Sequence, residues 1–242
     1  MFDAKRLLDQ FLGGQTGTGA GGKPGKGFDP AQLGDLARGF GGLGGGTLAG
    51  GLAGVLLGSK KGRKLGGSAL KLGGLALVGG LAYKAYRDWQ AGKQPVPASE
   101  RQDASMLPPP GGTPFNPSTE AEQQSLGRHL LRAMIAAAKA DGHVDAQEQA
   151  SIFAAMDKLD LDVEDKAFVM DELRAPLDID AVAKAARTPE EAAEIYTASL
   201  LAIDVDNAAE RGYLSLLAAR LNLDDKLVEH LHATVEGAIG KA

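Results

Sequence analysis

From Gly39 to Ser59 the chain reads GFGGLGGGTLAGGLAGVLLGS, a run without one charged side chain in which Gly42, Gly46, Gly50, Gly54 and Gly58 recur at every fourth residue. In water each glycine costs a helix interior roughly 1 kcal/mol relative to alanine, so the run would hold no helix by itself. In lipid the backbone has to satisfy its own hydrogen bonds, which makes a helix nearly obligatory. An apolar run of about 20 residues is long enough to cross a bilayer. On such a helix the glycines form one bare stripe, the small-residue device by which membrane helices approach backbone to backbone. The alternative is a flexible low-complexity linker; the regular spacing and the interleaved Leu and Val argue against it.

The basic run Lys60-Lys61-Gly62-Arg63-Lys64 follows, and then a second apolar stretch, Leu65 to Tyr83, broken only by Lys71. It carries Gly66, Gly67, Gly73, Gly74, Gly79 and Gly80 and ends in Tyr83, Lys84, Tyr86, Arg87 and Trp89, the aromatic and basic girdle of a membrane interface. Residues 39–89 therefore read as a glycine-rich apolar helical hairpin, or as one span with a partner segment. The expected partners are a lipid bilayer and, through the stripe Gly42, Gly46, Gly50, Gly54 and Gly58, further copies of the chain. Because positive residues stay cytoplasmic, the basic clusters on both sides predict at most one full crossing and a cytoplasmic C-terminal domain.

Residues 1–38 read as a flexible region with short amphipathic helices, one over Met1 to Leu12 and one over Phe28 to Arg38, without a cleavable signal peptide. Residues 90–118 hold Pro95, Pro97, Pro108, Pro109, Pro110, Pro114 and Pro117 and read as an extended, semi-stiff linker.

From Ser118 the composition changes to Ala, Leu, Ile, Asp and Glu, and no strand period competes with the helical one. The expectation is an all-α C-terminal bundle of about seven helices over 119–242. The helices run near Thr119–Ala140, Ala146–Leu159, Val163–Arg174, Ile179–Arg187, Thr188 through Leu201, Ala208–Leu221 and Asp225–Ile239. The fifth has a full start signature: Thr188 as N-cap, Pro189 first and Glu191 third.

Within that domain a pattern repeats. Asp141-Gly142-His143-Val144-Asp145-Ala146-Gln147-Glu148 leads into a helix ending Lys158-Leu159-Asp160-Leu161. Asp204-Val205-Asp206-Asn207-Ala208-Ala209-Glu210 leads into one ending Arg220-Leu221-Asn222-Leu223. Aligning Glu148 with Glu210 also aligns Asp145 with Asn207, Ile152 with Leu214 and Leu159 with Leu221. Clustered carboxylates are the hard oxygen donors that Ca²⁺ or Mg²⁺ takes, and His143 adds a nitrogen suited to Zn²⁺ or another transition metal. If the turns meet, Asp141, Asp145, Glu148, Asp204, Asp206 and Glu210 form one divalent-cation site for Ca²⁺, Mg²⁺, Mn²⁺ or Zn²⁺. Helix capping competes as an explanation. Asp145 and Asn207 are good N-caps, and acids in a first turn favour the helix dipole, but Asp141, Asp204 and Asp206 are not needed for it. Neither turn has the spacing of a twelve-residue EF-hand loop.

Other chemistry is thinly represented. The chain has no cysteine, which excludes disulfides and thiolate sites. Gly-x-Ser-x-Gly, His-Glu-x-x-His and a phosphate loop are missing. His129, His230 and His232 read as surface or boundary residues. The net charge is −5, with acids dominating from Glu100 onward, so the C-terminal domain lacks the basic face that nucleic acid requires.

The run Ala138 to Glu148, with Ala202-Ile203-Asp204-Val205-Asp206 and Glu210-Arg211-Gly212-Tyr213-Leu214, resembles the YebE-like family of bacterial inner-membrane proteins of unknown function. Their C-terminal part is similar to the TerB-like, tellurite-resistance-associated helical domain. The resemblance extends to the glycine-rich segment, the basic run at Lys60–Lys64 and Pro176-Leu177-Asp178. It implies an all-α bundle attached to the inner membrane, with metal held by acidic residues. Two functions follow as expectations. One is a non-enzymatic binding or sensing module tethered to the membrane in an envelope or metal stress setting. The other is a scaffold that oligomerises through its glycine stripe and recruits an unidentified protein. A metal-dependent hydrolase is the third and weakest fit.

Overall fold

A computed structural model describes residues 3–13, 74–95, 109–140, 163–203, 205 and 208–239. These residues are all-helical: α1 (Ala4–Gly13), α2 (Gly74–Gln90), α3 (Glu120–Ala138), α4 (Val163–Arg174), α5 (Ile179–Lys184), α6 (Pro189–Ala202), α7 (Ala208–Arg220) and α8 (Asp225–Ile239). The only β pairing among them is an isolated bridge between Thr113 and Asn116.

Helix α6 is the centre of the bundle. Every residue from Ala192 to Ala202 is buried, so the helix has no solvent face, and α2, α3, α7 and α8 surround it. The sequence makes that packing feasible. Ala192, Ala193, Ala198, Ser199 and Ala202 are small enough for close approach, while Ile195, Tyr196, Leu200 and Leu201 fill the gaps between neighbours. The start is fixed as its sequence signature predicts: Thr188 accepts from the Glu191 amide at 3.1 Å, and the Glu191 carboxylate accepts from the Arg187 amide at 2.7 Å. Helix α3 is capped likewise by Thr119, which accepts from the Glu122 amide.

Helix α2 departs from the expectation of a membrane segment. Gly74, Leu75, Leu77, Val78, Gly79, Gly80, Leu81, Ala82 and Ala85 are buried, and α2 packs against α6, α8 and α1. Its bare glycines do let a helix come close, but the partner is this bundle. The girdle residues also turn inward. Tyr83 and Tyr86 each pack edge-on against Phe115, with ring centroids 5.6 Å apart, and Trp89 donates to Asp224 at 3.2 Å. Among the described residues no helix is long and apolar enough to cross a membrane. The stripe from Gly42 to Gly58 lies outside the described residues.

Two further expectations change. Residues 109–117 are a compact turn instead of an extended linker. The Asn116 amide side chain donates to the Pro109 carbonyl at 3.0 Å, Gly112 takes a left-handed φ of +76°, and Phe115 is 4% exposed. One aromatic with two tyrosines to cover is enough to pin a proline-rich stretch. At the N-terminus, α1 is docked: Ala4, Leu7 and Leu8 are fully buried. Asp3 caps it, accepting from the Arg6 amide at 2.9 Å and from the Gln124 side chain at 2.8 Å, while its own amide donates to Asp165 of α4. Gly127 makes room, since a β-carbon there would sit 3.2 Å from the Ala4 carbonyl carbon. The helical body therefore reaches beyond residues 119–242 to include α1 and α2.

Candidate functional site

The internal repeat has a structural counterpart. Helices α3 and α6 lie side by side and run in the same direction. Arg187, just before α6, reaches Ser125 of α3, 62 residues earlier, and Ser199 donates to the Ala133 carbonyl at 3.3 Å further along. The same 62-residue offset separates Glu148 from Glu210 and the start of α4 at Val163 from the start of α8 at Asp225. Because α3 and α6 are parallel, both end at one pole of the bundle, at Ala138 and Ala202; most of the acidic sequence that follows each lies outside the described residues.

That pole is firmly built. Ala133 on α3 accepts from both Ser199 of α6 and the Tyr213 hydroxyl of α7, at 3.3 and 3.5 Å, tying three helices to one carbonyl. Burial pushes the Tyr213 hydroxyl up to about 12, against a bond to Ser199 that works to lower it. Lys139 reaches across to the end of α4, donating to the Glu172 carbonyl at 2.9 Å and to the Ala175 carbonyl, so its ammonium satisfies helix-end carbonyls. Desolvation lowers its pKa, with Glu172 acting the other way. Arg132 pairs with the Glu172 carboxylate, Nε to Oε1 at 2.7 Å.

Of the six carboxylates named from the sequence, Glu210 is described. It is 7% exposed in the first turn of α7, on the same face as Tyr213 three residues on, and it is engaged by neighbouring groups. Asp141, Asp145, Glu148, Asp204 and Asp206 lie outside the described residues, as does His143. Among the described residues no group of three or more His, Asp or Glu is arranged to hold a metal ion.

Three features were not anticipated. His230 is 4% exposed and bonds the Lys93 carbonyl at 3.0 Å, and His232 bonds the Tyr196 hydroxyl at 2.8 Å, so two of the three helical histidines brace the bundle. His129 is half-buried against Glu191, with desolvation lowering its pKa and Glu191 opposing. The third is Glu194, near the start of the buried stretch of α6. It is 0% exposed, and neither carboxylate oxygen has a hydrogen-bond partner. The other buried polar groups of that stretch, Tyr196, Thr197 and Ser199, all have one. The signal for it was present: a lone acid between Ala193 and Ile195, in a run otherwise of small and apolar residues.

Comparison with known proteins places the chain. The family described as Protein of unknown function (DUF533) matches residues 42–235. The chain belongs to that family. The DUF533 match takes in α2 to α7 and most of α8, and leaves α1 outside. A curated relative, "Uncharacterized protein in ampR 5'region" of Yersinia enterocolitica, is 32% identical over 96 residues, covering 40% of this chain and 69% of the relative. No solved structure matches.

Proposed function

We propose that this DUF533 protein is a non-enzymatic binding or sensing module held at a bacterial inner membrane, with its acidic pole as the binding end and a YebE-like, TerB-like kinship as the finer family. The observation that supports the reading is the parallel pairing of α3 and α6, whose C-terminal ends, Ala138 and Ala202, lie at one pole and precede the two acidic sequences in the chain. The two acidic sequences would frame a divalent cation with Asp141, Asp145, Glu148, Asp204, Asp206 and Glu210 as the oxygen donors. Envelope or metal stress is the setting that fits a tethered cation-responsive domain.

The membrane part of this reading rests on residues 39–59, now that α2 is accounted for by the bundle. The bundle also constrains how the tether works. Gly13 ends α1 and Gly74 begins α2, and both helices dock on the same body and on each other. A bilayer engaged by residues 39–59 therefore has both anchor points on one side. That geometry favours a segment that dips into the membrane and returns over one that crosses once, and it keeps the helical body close to the surface; the basic clusters, by the positive-inside rule, support the cytoplasmic side.

The test is calorimetry of the full chain with Ca²⁺, Mg²⁺, Mn²⁺ and Zn²⁺, alongside thermal melts of the wild type and of Asp141→Asn with Asp204→Asn. A cation held at the pole raises stability by about 2.7 kcal/mol at a hundredfold excess over Kd. The double variant loses that gain. Identical melts in chelator and in metal for the wild type contradict the cation reading. Deleting residues 39–59 is expected to release the protein from membranes, and retention without them contradicts the tether.

A further inference from the structure

We propose that Glu194 is a proton-binding site, and that the bound proton locks helix α2 and the turn of residues 109–117 against α6. The inference rests on described packing alone and is independent of the membrane and cation readings. Glu194 is fully buried, and both its oxygens lack a partner. An ionised carboxylate in that state is among the costliest arrangements a protein interior offers. Among the described residues the charges that act on it are Glu191 and Glu190, both of its own sign. An ideal β-carbon built on Gly79 of α2 would lie 3.1 Å from Glu194 Oε1, 3.4 Å from Pro109 and 2.5 Å from the Phe115 carbonyl oxygen. The glycine thus leaves a bare backbone onto which a carboxyl oxygen and a backbone carbonyl oxygen both press.

A fully buried carboxyl with no donor to either oxygen is an arrangement that favours the protonated form. Protonation converts the carboxyl from acceptor-only to donor, and the Phe115 carbonyl is an acceptor in the same packing site. The neighbours reinforce this. On α6 itself Glu190 and Glu191 stand one turn before Glu194. On α2, Tyr83 and Tyr86 are the facing titratable groups, and Tyr86 lies within the influence of Glu190. On α3, His129 faces Glu191, with Arg128, Arg132 and Arg187 also acting on it. On α8, His232 is engaged with Tyr196. The turn of residues 109–117 contains no titratable side chain. Burial first, and then Glu191 and Glu190, hold the Glu194 pKa well above its ordinary 4.5.

The sign follows. A carboxyl whose pKa is raised by folding contributes its full stability below 4.5 and loses it as pH rises towards the folded value. Ionisation strikes where α2 and the turn meet α6, so these two elements open first, and α2 is the element that follows the glycine-rich segment.

The full chain suits the experiment because Trp89, its single tryptophan, lies on α2. Amide exchange of α2 and of residues 109–117, corrected for intrinsic chemistry, is measured from mildly acidic to mildly alkaline pH beside Trp89 emission. With one proton released per opening, the opening constant of the wild type is expected to rise about tenfold per pH unit while native Glu194 stays protonated. Glu194→Gln, which keeps shape and neutrality, is expected to remove that slope and the accompanying red shift of Trp89. An equal slope in the variant overturns the proposal. The second measurement needs no variant: the infrared band of a protonated carboxyl, assigned with ¹³C-labelled glutamate, is expected in the wild type at neutral pH. Its absence also overturns the proposal.

Discussion

The two ends of helix α2 are held in opposite ways. Around Gly79 the helix meets the fully buried carboxyl of Glu194, whose oxygens have no hydrogen-bond partner among the described residues, and closeness is secured by a missing side chain. At its C-terminal end the helix is held by charge in partial contact with solvent. Asp88 pairs with Lys84 at 2.7 Å and Lys93 at 2.8 Å, while Trp89 bonds Asp224, which caps α8 by accepting from the Lys226 amide at 2.9 Å. Burial opposes the Asp88 charge, but the two ammonium groups prevail and hold its carboxyl at about 2. The same side-chain chemistry is thus pushed in opposite directions within one helix length. The difference lies in whether a cation can reach it without losing its water.

This contrast can be broken at several points, beginning with the interior. Leu81→Ala, at a residue 2% exposed, is expected to cost about 2–5 kcal/mol in denaturant unfolding, the usual range for emptying a core leucine. A loss too small to measure would put α2 outside the core. Gly79→Ala is expected to cost about 1–3 kcal/mol by overpacking, because its β-carbon meets the Phe115 backbone, which has little room to yield. Asp88→Asn is expected to cost least, about 0.2–1 kcal/mol per partly exposed pair, and to fade as salt is added.

The two ends also differ in pH response. The Asp88 contribution is fully present above its ordinary 3.8 and is lost as pH falls towards about 2. The Glu194 contribution is lost in the other direction, as pH rises above 4.5. Acid titration of Asp88→Asn and alkaline titration of Glu194→Gln, each followed by Tm, are expected to flatten opposite limbs of the stability curve. Flattening of the same limb by both would remove the distinction.

What the sequence disclosed depended on whether local chemistry had one outcome or two. Thr188-Pro189 with Glu191 has one, and α6 starts there. Val163, Ala208 and Asp225 open helices where the pattern placed them, and α5 stops at Lys184, earlier than Arg187. The segment from Gly74 had two. Bare glycines among Leu and Val suit lipid-facing helix pairs and close helix packing in a protein alike, and Tyr83, Tyr86 and Trp89 suit an interface or a core edge. The presence of Phe115, α1, α6 and α8 as partners decides it, and those are long-range facts. Phe115 was hidden by the surrounding prolines, which rule out regular structure without ruling out a pinned turn. The acidic repeat was legible in the sequence, and the parallel pairing of the helices that precede its two halves is visible through Arg187 with Ser125 and Ser199 with Ala133, while its carboxylates other than Glu210 lie outside the described residues. Glu194 was readable in principle as an acid in an apolar run, but its lack of a partner depends on Gly79 and residues 109–117, far away in sequence.

The account's central claim is that α2 and the turn of residues 109–117 belong to the helical body and complete it around α6. The most direct test compares the cooperative unfolding of residues 74–242 with that of residues 119–242. The account predicts a single transition for the longer piece, with Trp89 emission changing at the same midpoint as the helical signal. The shorter piece, with one side of α6 and the Glu194 site uncovered, is predicted to lose stability heavily and to unfold without a sharp transition. A shorter piece that unfolds cooperatively at the midpoint of the longer one would contradict it.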